Sequence, residues 1–479
     1  MPGILSAASL PNIQGNILTP FKKERFLYLF ARFGDTQPAR QWLAEIVADP
    51  AFSSAQKMLD EPARPTWLAI AFTFRGLVAL NSDIDHELKD FTAFRNGAAG
   101  LDGGDGRPET LPALVGDPEA GDPTRWVVGA PEQSPVDVVL TIAADDDKTL
   151  RTAAQQEWGR AAGHGLDVLL LDQGNGTWTA GQFAGRLGKG IDHFGFRDGI
   201  SQPGVRGFTQ EVIRHRRLEV ADQPGSPVIA PGEFVLGYDA EPRFYPISNA
   251  GRPAPPAWMH DGSFQVLLRL TQDVHGWRSQ AARLRSAAAT TVDVPESAIG
   301  RTTDGCPLAL VGQGGYGGNN DFTYTGDPTG ATTPLSAHIR KVNPRDDDVF
   351  HDRQHRLLRR GTPFGPLLPE DETDDGVERG MMFNAFMASI EDQFEYMQRQ
   401  WANPVASSSS LTRASAPPVE PDALIGAGTS VRIVRSNGVA IDLPSRPLVH
   451  TSGAVYLFAP SLPGLRRLGR AEPITADKA

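Results

Sequence analysis

The chain of 479 residues contains one cysteine, Cys306. A single thiol cannot close an intrachain disulfide, so nothing in the sequence reflects an oxidising compartment. Zinc and iron–sulfur sites built on paired cysteines are excluded for the same reason. Cys306 opens the apolar run Cys306–Leu310 and reads as a small buried residue. No run of about 18 apolar residues occurs, so no membrane-spanning helix is expected. The start, Met1–Ser6, lacks the basic opening and apolar stretch of a secretory signal, and it lacks twin arginines. A cytoplasmic location is expected on that ground, although a leader removed from the chain would leave no trace in it. A basic surplus is also missing. With 46 Lys and Arg against 57 Asp and Glu, the net charge is −11, which argues against a nucleic-acid backbone as partner. The short basic stretch of Arg214, Arg216 and Arg217 around His215 reads as a solvated loop. No phosphate-binding loop, zinc-protease signature or Gly-x-Ser-x-Gly elbow is present.

What is present is ordinary for a globular protein: 40% hydrophobic and 22% charged residues. The length suits two or three domains. Phe26–Phe33, Trp67–Phe74, Val136–Ala143 and Leu166–Leu171 read as strands. Pro38–Val47 and a stretch from Asp145–Asp147 to about Ala162 read as helices. Two strand–helix–strand units in one half suggest a ferredoxin-like α+β sandwich, ahead of a doubly wound parallel sheet. The segment 222–232 holds three prolines and is expected to link an N-terminal domain (1–221) to a C-terminal domain (233–479). Beyond it, Glu233–Tyr238 and Ser263–Leu270 read as strands and Thr271–Ala288 as a helix, the pattern of a second copy. Asn96–Pro135 and Pro404–Pro421 read as loops, and the final twenty residues as loosely ordered.

Four motifs bear on chemistry. Gly312, Gly314 and Gly317 spell G-x-G-x-x-G, but Gly318–Asp321 follows where a dinucleotide site needs a helix, so a plain glycine-rich loop is the better reading. In Gly195–Pro203, Asp198 is flanked by glycines that let backbone approach a flat ligand; alone, an ordinary Asp-Gly turn is the better reading. His338 is followed by Arg340, suited to a carboxylate, and by the break Asn343–Pro344. His351 and His355, four apart among Arg, Gln and Asp, suggest a solvated helix face. Arg359–Arg360–Gly361 ends an apolar stretch, which suits one guanidinium turned inward.

Taken in order, these segments resemble the dye-decolorising peroxidase family. The signature Gly-x-x-Asp-Gly is matched by Gly195–Gly199. The His-Ile-Arg segment with its following Asn-Pro-Arg is matched by His338–Arg345, and the Arg-Arg-Gly turn by Arg359–Gly361. Asn12–Leu18, Met382–Trp401 and Val455–Leu462 are similar to the family's opening and late segments. The likeness spans about residues 10 to 467, and the length lies near the larger bacterial and fungal members.

The resemblance implies two ferredoxin-like halves with one haem b in the C-terminal half, held without covalent attachment. It implies His338 as the ligand to the iron, with a carboxylate on its other ring nitrogen. Many relatives have an acid where Ser389 stands, so Glu391 or Asp392 is left open as that partner. It further implies Asp198 as acid–base group and Arg359 as the charge-stabilising arginine, Arg360 being the fallback. Arg340 would bind a propionate, and Met381 and Phe383 would line the pocket. The implied reaction is oxidation of dyes, phenols or related aromatics by hydrogen peroxide through ferryl haem intermediates. The alternative is a haem-binding or iron-handling protein with little turnover; Asp198 together with Arg359 favours the enzyme. The chain departs at Phe364, where many larger members have a tyrosine that passes electrons, leaving Trp401 and Tyr396 as relay candidates. Hydrogen peroxide and aromatic reductants are the expected partners, self-association is left open, and no membrane or nucleic-acid partner is expected. Manganese as a substrate is also left open, since Glu370–Glu372 and Asp374–Asp375 read as solvated loops.

Overall fold

The aromatic run Arg25–Arg32 forms strand β1, and side chains on both of its faces are buried. Alternation sends Leu27, Leu29 and Ala31 to one core, with Trp42 of helix α1 (Thr36–Ala48). Tyr28 and Phe30 go to a second core on the opposite face, with Val139 and Leu267. The structure, a computed structural model, describes residues 4–100, 121–130, 132, 134–172, 178–187, 190–215, 217–242, 252–288, 294–348, 353–372, 374–403, 420–426, 430–434, 440–444 and 447–472.

After β1 and α1 come β2 (Thr66–Phe72), β3 (Val138–Ala144), helix α2 (Asp147–Gly163), β4 (Asp167–Val168) and β5 (Gln182–Gly185). The second half brings β6 (Ser263–Gln272), α3 (Val274–Ala288), the one-turn helix α4 (His338–Lys341), β7 (Leu358–Arg359), β8 (Thr362–Phe364), β9 (Gly380–Met387) and β10 (Val449–Ala459). These ten strands make one sheet in the order β7-β9-β6-β10-β2-β3-β1-β4, with β8 on β9 and β5 on β1. Each half places its first strand between its third and fourth, as a β-α-β-β-α-β unit does. The halves join where Phe458 of β10 faces Phe72 of β2.

Every pairing in this sheet is antiparallel, so the fold is the α+β architecture and not the doubly wound alternative. Two other expectations need correction. Glu233–Tyr238 is not a strand. The buried Glu233 carboxylate accepts from Arg252 Nη2 at 2.7 Å and from the Glu241 N–H at 3.1 Å, and Gly237 has φ +92. That ion pair and the left-handed turn hold the segment out of any ladder. Nor is the chain end loose throughout, because Leu462–Arg470 is a helix capped by Ser461 and packed on α1 through Leu465 and Leu468. Most of Pro404–Pro421 lies outside the described residues, as do residues 101–120 of the Asn96–Pro135 loop. The segment 222–232 contributes Val228–Ile229, buried and paired in parallel with Gly204–Val205.

Helix α2 starts where expected because Asp146 caps it, accepting from the Thr149 N–H. It also buries an acid. Glu157 lies 3.2 Å from Arg160, yet burial, with Asp49 and Glu45 nearby, pushes its pKa up to about 7. An acid whose folded pKa exceeds its unfolded one is destabilising once ionised. Stability should therefore fall as pH rises from about 4.5 to 7. Chemical denaturation at pH 5 and pH 8 tests this: the wild type should lose on the order of 1–3 kcal/mol across the interval. Glu157→Gln should remove that loss, and an unchanged pH dependence in the variant would refute the assignment.

Candidate functional site

Alternation along the sheet gives a cavity its floor. Leu268 and Leu270 of β6 and Met381 and Phe383 of β9 lie two residues apart on their strands and all line it. On one side stand Asp198 and Arg359; α4 brings His338 to the same cavity, and Leu424–Gly426 close it.

His338 is the first residue of α4. Its Nδ1 lies 2.9 Å from Asp422 Oδ2, and the Asp422 side chain is fully buried. The other Asp422 oxygen accepts the Leu424 and Ile425 N–H groups at 2.7 and 3.1 Å. With Nδ1 engaged, Nε2 is the nitrogen left for a ligand in the cavity. The two partners left open in the sequence, Glu391 and Asp392, are occupied elsewhere, as is Ser389. Ser389 Oγ accepts the Asp392 N–H, Glu391 accepts the Ala93 N–H at 2.6 Å, and Asp392 pairs with Arg252 at 3.1 Å. Asp422 lies 84 residues from His338 at the edge of the Ser/Ala/Pro-rich stretch, and no local signal marks it.

The Asp198 loop is fixed by its backbone. Arg197 N–H donates to Thr303 O, Asp198 N–H to Gly190 O, and Phe196 N–H to Asp192 Oδ1, each at 2.9–3.1 Å. Gly195 and Gly199 take φ +89 and +74, the left-handed region that favours glycine. The Asp198 carboxylate is exposed towards the cavity, and its Oδ1 accepts the Gly199 N–H at 2.6 Å. Arg359 ends β7 and donates to Ser201 O at 3.0 Å, which ties it to the same loop. Arg360 does not line this cavity; it turns to the carbonyls of Asn16 and Ile17. Asp192, also on the wall, is pushed up to about 6 by burial, with the Asp198 charge adding to the effect.

Arg340 departs from expectation. It is 3% exposed and absent from the cavity wall. Its guanidinium is taken by Asp347 at 2.7 Å, by Thr333 O at 2.8 Å and by Asp327, and it lies over the Tyr324 ring at 4.5 Å. The spacing from His338 is a local feature; the acids of the following loop captured the side chain. Five other arginines do line the cavity: Arg197, Arg301, Arg345, Arg356 and Arg359. Arg356 donates to the Asn343 side-chain oxygen. Among the described residues Arg197, Arg301, Arg345 and Arg359 are in no ion pair, and burial with neighbouring Arg345 lowers Arg301 to about 10. Positive charge gathered around one cavity, with Arg301 itself buried, calls for an anion. A flat group with two carboxylates, such as the haem that the resemblance implies, fits that need and the His338 donor together.

His355 is also corrected. It is 4% exposed and lines the cavity, and it is not on a solvated face. Tyr396 stacks on it with centroids 3.7 Å apart, and Trp401 meets both rings edge-on at 5.5 and 5.8 Å. His351 lies outside the described residues. Phe364 is buried under the Arg269 guanidinium. Among the described residues no group of three or more His, Cys, Asp or Glu is placed to hold a metal ion, and no helix is long and apolar enough to cross a membrane.

A family model described as the C-terminal part of Dyp-type peroxidases matches residues 250–417. The chain is 28% identical to a dye-decolorizing peroxidase of Mycena epipterygia, covering 97% of this chain and 88% of that protein. It is also 28% identical to the multifunctional dye peroxidase DyP2 of an Amycolatopsis strain, covering 97% and 96%. A solved dye-decolorizing peroxidase in complex with 2,6-dimethoxyphenol matches with a TM-score of 0.73 at 25% identity, covering 96% of this chain and 99% of that one.

The arginine assignments separate cleanly in experiment. Arg340→Ala removes a buried guanidinium from Asp347, Asp327 and Thr333 O and should cost about 1–3 kcal/mol in chemical denaturation, while haem titration keeps its wild-type affinity at a temperature where the variant is folded. Arg345→Ala should cost little stability and weaken haem binding. The opposite pattern would return the propionate role to Arg340.

Proposed function

The chain belongs to the dye-decolorising peroxidase family, and on that premise we propose a division of labour within the cavity: His338 holds non-covalent haem b, and Asp198 with Arg359 acts on hydrogen peroxide. The protein is a peroxidase that binds haem and oxidises dyes and phenols. The observation that carries the assignment is one imidazole, fixed through Nδ1 by a fully buried carboxylate, facing the same cavity as Asp198 and Arg359.

Bound haem supplies an iron centre that accepts two oxidising equivalents from peroxide and returns them to reductants one electron at a time. The chain does the rest. His338 Nε2 is the iron donor, and Asp422, accepting the Nδ1 proton, makes the imidazole a stronger donor and fixes its orientation. Asp198 would take a proton from one peroxide oxygen and return it to the other as the O–O bond breaks, a service worth roughly 10²–10⁴ in rate. Arg359, held by Ser201 O, keeps a fixed positive charge where negative charge develops on the departing oxygen. Arg301 and Arg345 take the propionates.

For reductants too large to enter, the ring stack offers a path. His355 touches the cavity, Tyr396 is half-buried behind it, and Trp401 lies against both. Phe364 lacks the hydroxyl proton whose loss gives a stable aromatic radical, so the path runs through Tyr396 and Trp401.

Two experiments follow. His338→Ala should abolish the haem absorption band, whereas Asp198→Asn should keep the band and react with peroxide about 10²–10⁴-fold more slowly in stopped flow. A wild-type rate in Asp198→Asn removes the acid–base role, and a colourless wild type after growth with haem removes the function. Separately, the double variant Tyr396→Phe, Trp401→Phe should lose most turnover of bulky dyes with its peroxide step intact; undiminished dye turnover would refute the relay.

A further inference from the structure

Behind the wall that carries Asp198 and Arg359 lies a second cavity. Asp198, Gly199, Pro203, Arg359, Met381 and Phe383 face both spaces, so the two adjoin at the place assigned to peroxide. The segment Asn16–Lys22 and the turn Arg360–Pro363 form much of the second cavity, with Tyr28 and Thr141 contributed by the sheet.

Arg360 is its distinctive group. Nε donates to Asn16 O at 2.9 Å, Nη1 to Arg359 O at 2.8 Å and Nη2 to Ile17 O at 2.8 Å. A guanidinium has five N–H donors, so two remain. Among the described residues no carboxylate pairs with Arg360, and burial alone lowers it to about 9. A second group beside it is also unused: Asn16 is 5% exposed, and its Oδ1 is buried without a partner. The Tyr28 hydroxyl, by contrast, is bonded to Thr362 and Asn384. Lys22, Arg186 and Arg359 join Arg360 on the wall against Asp198 and Asp222, so positive charge predominates. Phe21, Phe26 and Phe208 supply aromatic surface.

A simpler account makes Arg360 a clasp on the last carbonyls of the helical turn Gly15–Leu18. That explains two N–H groups, and Arg359 O takes a third. It leaves the other two, the missing counter-ion and the unpartnered Asn16 acceptor. All three are met by one ligand chemistry: a carboxylate for the guanidinium, a hydroxyl donor for Asn16 Oδ1, and a flat ring for the phenylalanines. We propose that this second cavity is a binding subsite for a small hydroxylated aromatic acid, with its carboxylate on Arg360. The subsite names a class of reducing substrate for the peroxidase and so rests on that reading. Its inner end opens on Asp198 and Arg359, which puts the bound ring next to the oxidising site.

The test is calorimetric titration of 4-hydroxybenzoate into the haem-loaded enzyme without peroxide, with its methyl ester as the uncharged control. The acid should bind at least tenfold more tightly than the ester. Arg360→Gln should weaken the acid tenfold or more and leave the ester unchanged. Because Arg360 also clasps the turn, Asn16→Asp provides a second variant: it keeps the clasp, adds a carboxylate to the same cavity, and should repel the acid to a similar degree. Cyanide affinity at the haem should be unchanged in both variants. Wild-type acid binding in both folded variants, equal binding of acid and ester, or loss of acid binding when cyanide occupies the iron would each overturn the subsite. A protein that binds haem and reacts with peroxide but ignores the acid overturns the subsite alone, whereas a colourless protein overturns the peroxidase reading.

Discussion

The Asp422 carboxylate holds more of the site together than any other single group. One oxygen meets His338 Nδ1, and the other gathers the N–H groups of Leu424 and Ile425. Its neighbour's backbone adds a stitch, Ala423 N–H to Ser336 O at 2.8 Å, just before the His338 turn. Ligand orientation and cavity wall therefore come from the same few bonds, since Leu424, Ile425 and Gly426 close the space that His338 faces. A buried carboxylate is tolerable here because every contact it makes is a hydrogen bond to its charged form. Removing it would free the imidazole and unpin the wall at once.

Strand alternation explains how one sequence pattern serves two spaces. Leu358 joins the core on one face of the sheet, and Arg359 turns to the His338 cavity on the other. Arg360, next along, turns back towards Asn16 and Ile17. The paired arginines are thus neighbours in sequence with separate surroundings, one on the wall shared with Asp198 and one behind it. The same period puts Met381 and Phe383 on the cavity floor while Met382 packs into the opposite core.

This alternation also decides what was legible in the sequence. Phe26–Phe33, Trp67–Phe74 and Ser263–Leu270 carry long apolar runs whose period survives any tertiary arrangement, and they form strands within a residue or two of the expected bounds. Side-chain destinations were legible only where the motif itself sets them. Asp198 faces the cavity because glycines on both sides shape its loop. Arg340 was assigned from its distance to His338 along the chain, but Asp327 and Asp347 lie nearer in space and claimed it. His355 looked solvated because its sequence neighbours are polar, yet the rings that bury it come from a segment some forty residues on. Asp422 was invisible for the same reason, at twice that separation. Each miss is a contact between distant segments, which local pattern does not encode.

Charge explains why the remaining arginines are where they are. Arg197, Arg301, Arg345, Arg356 and Arg359 line the cavity, and Asp192 and Asp198 are the carboxylates on its wall. Even with both acids ionised, positive charge stays in excess, which suits an anionic ligand. Even so Asp192 is raised to about 6, because loss of water, helped by the Asp198 charge, outweighs the hydrogen bonds it accepts. The field acts instead on what enters the space. In the proposed assignment a dianionic cofactor would relieve the excess at Arg301 and Arg345. Arg359, tied to Ser201 on the Asp198 side, would then be left to stabilise the negative charge that appears as peroxide is cleaved.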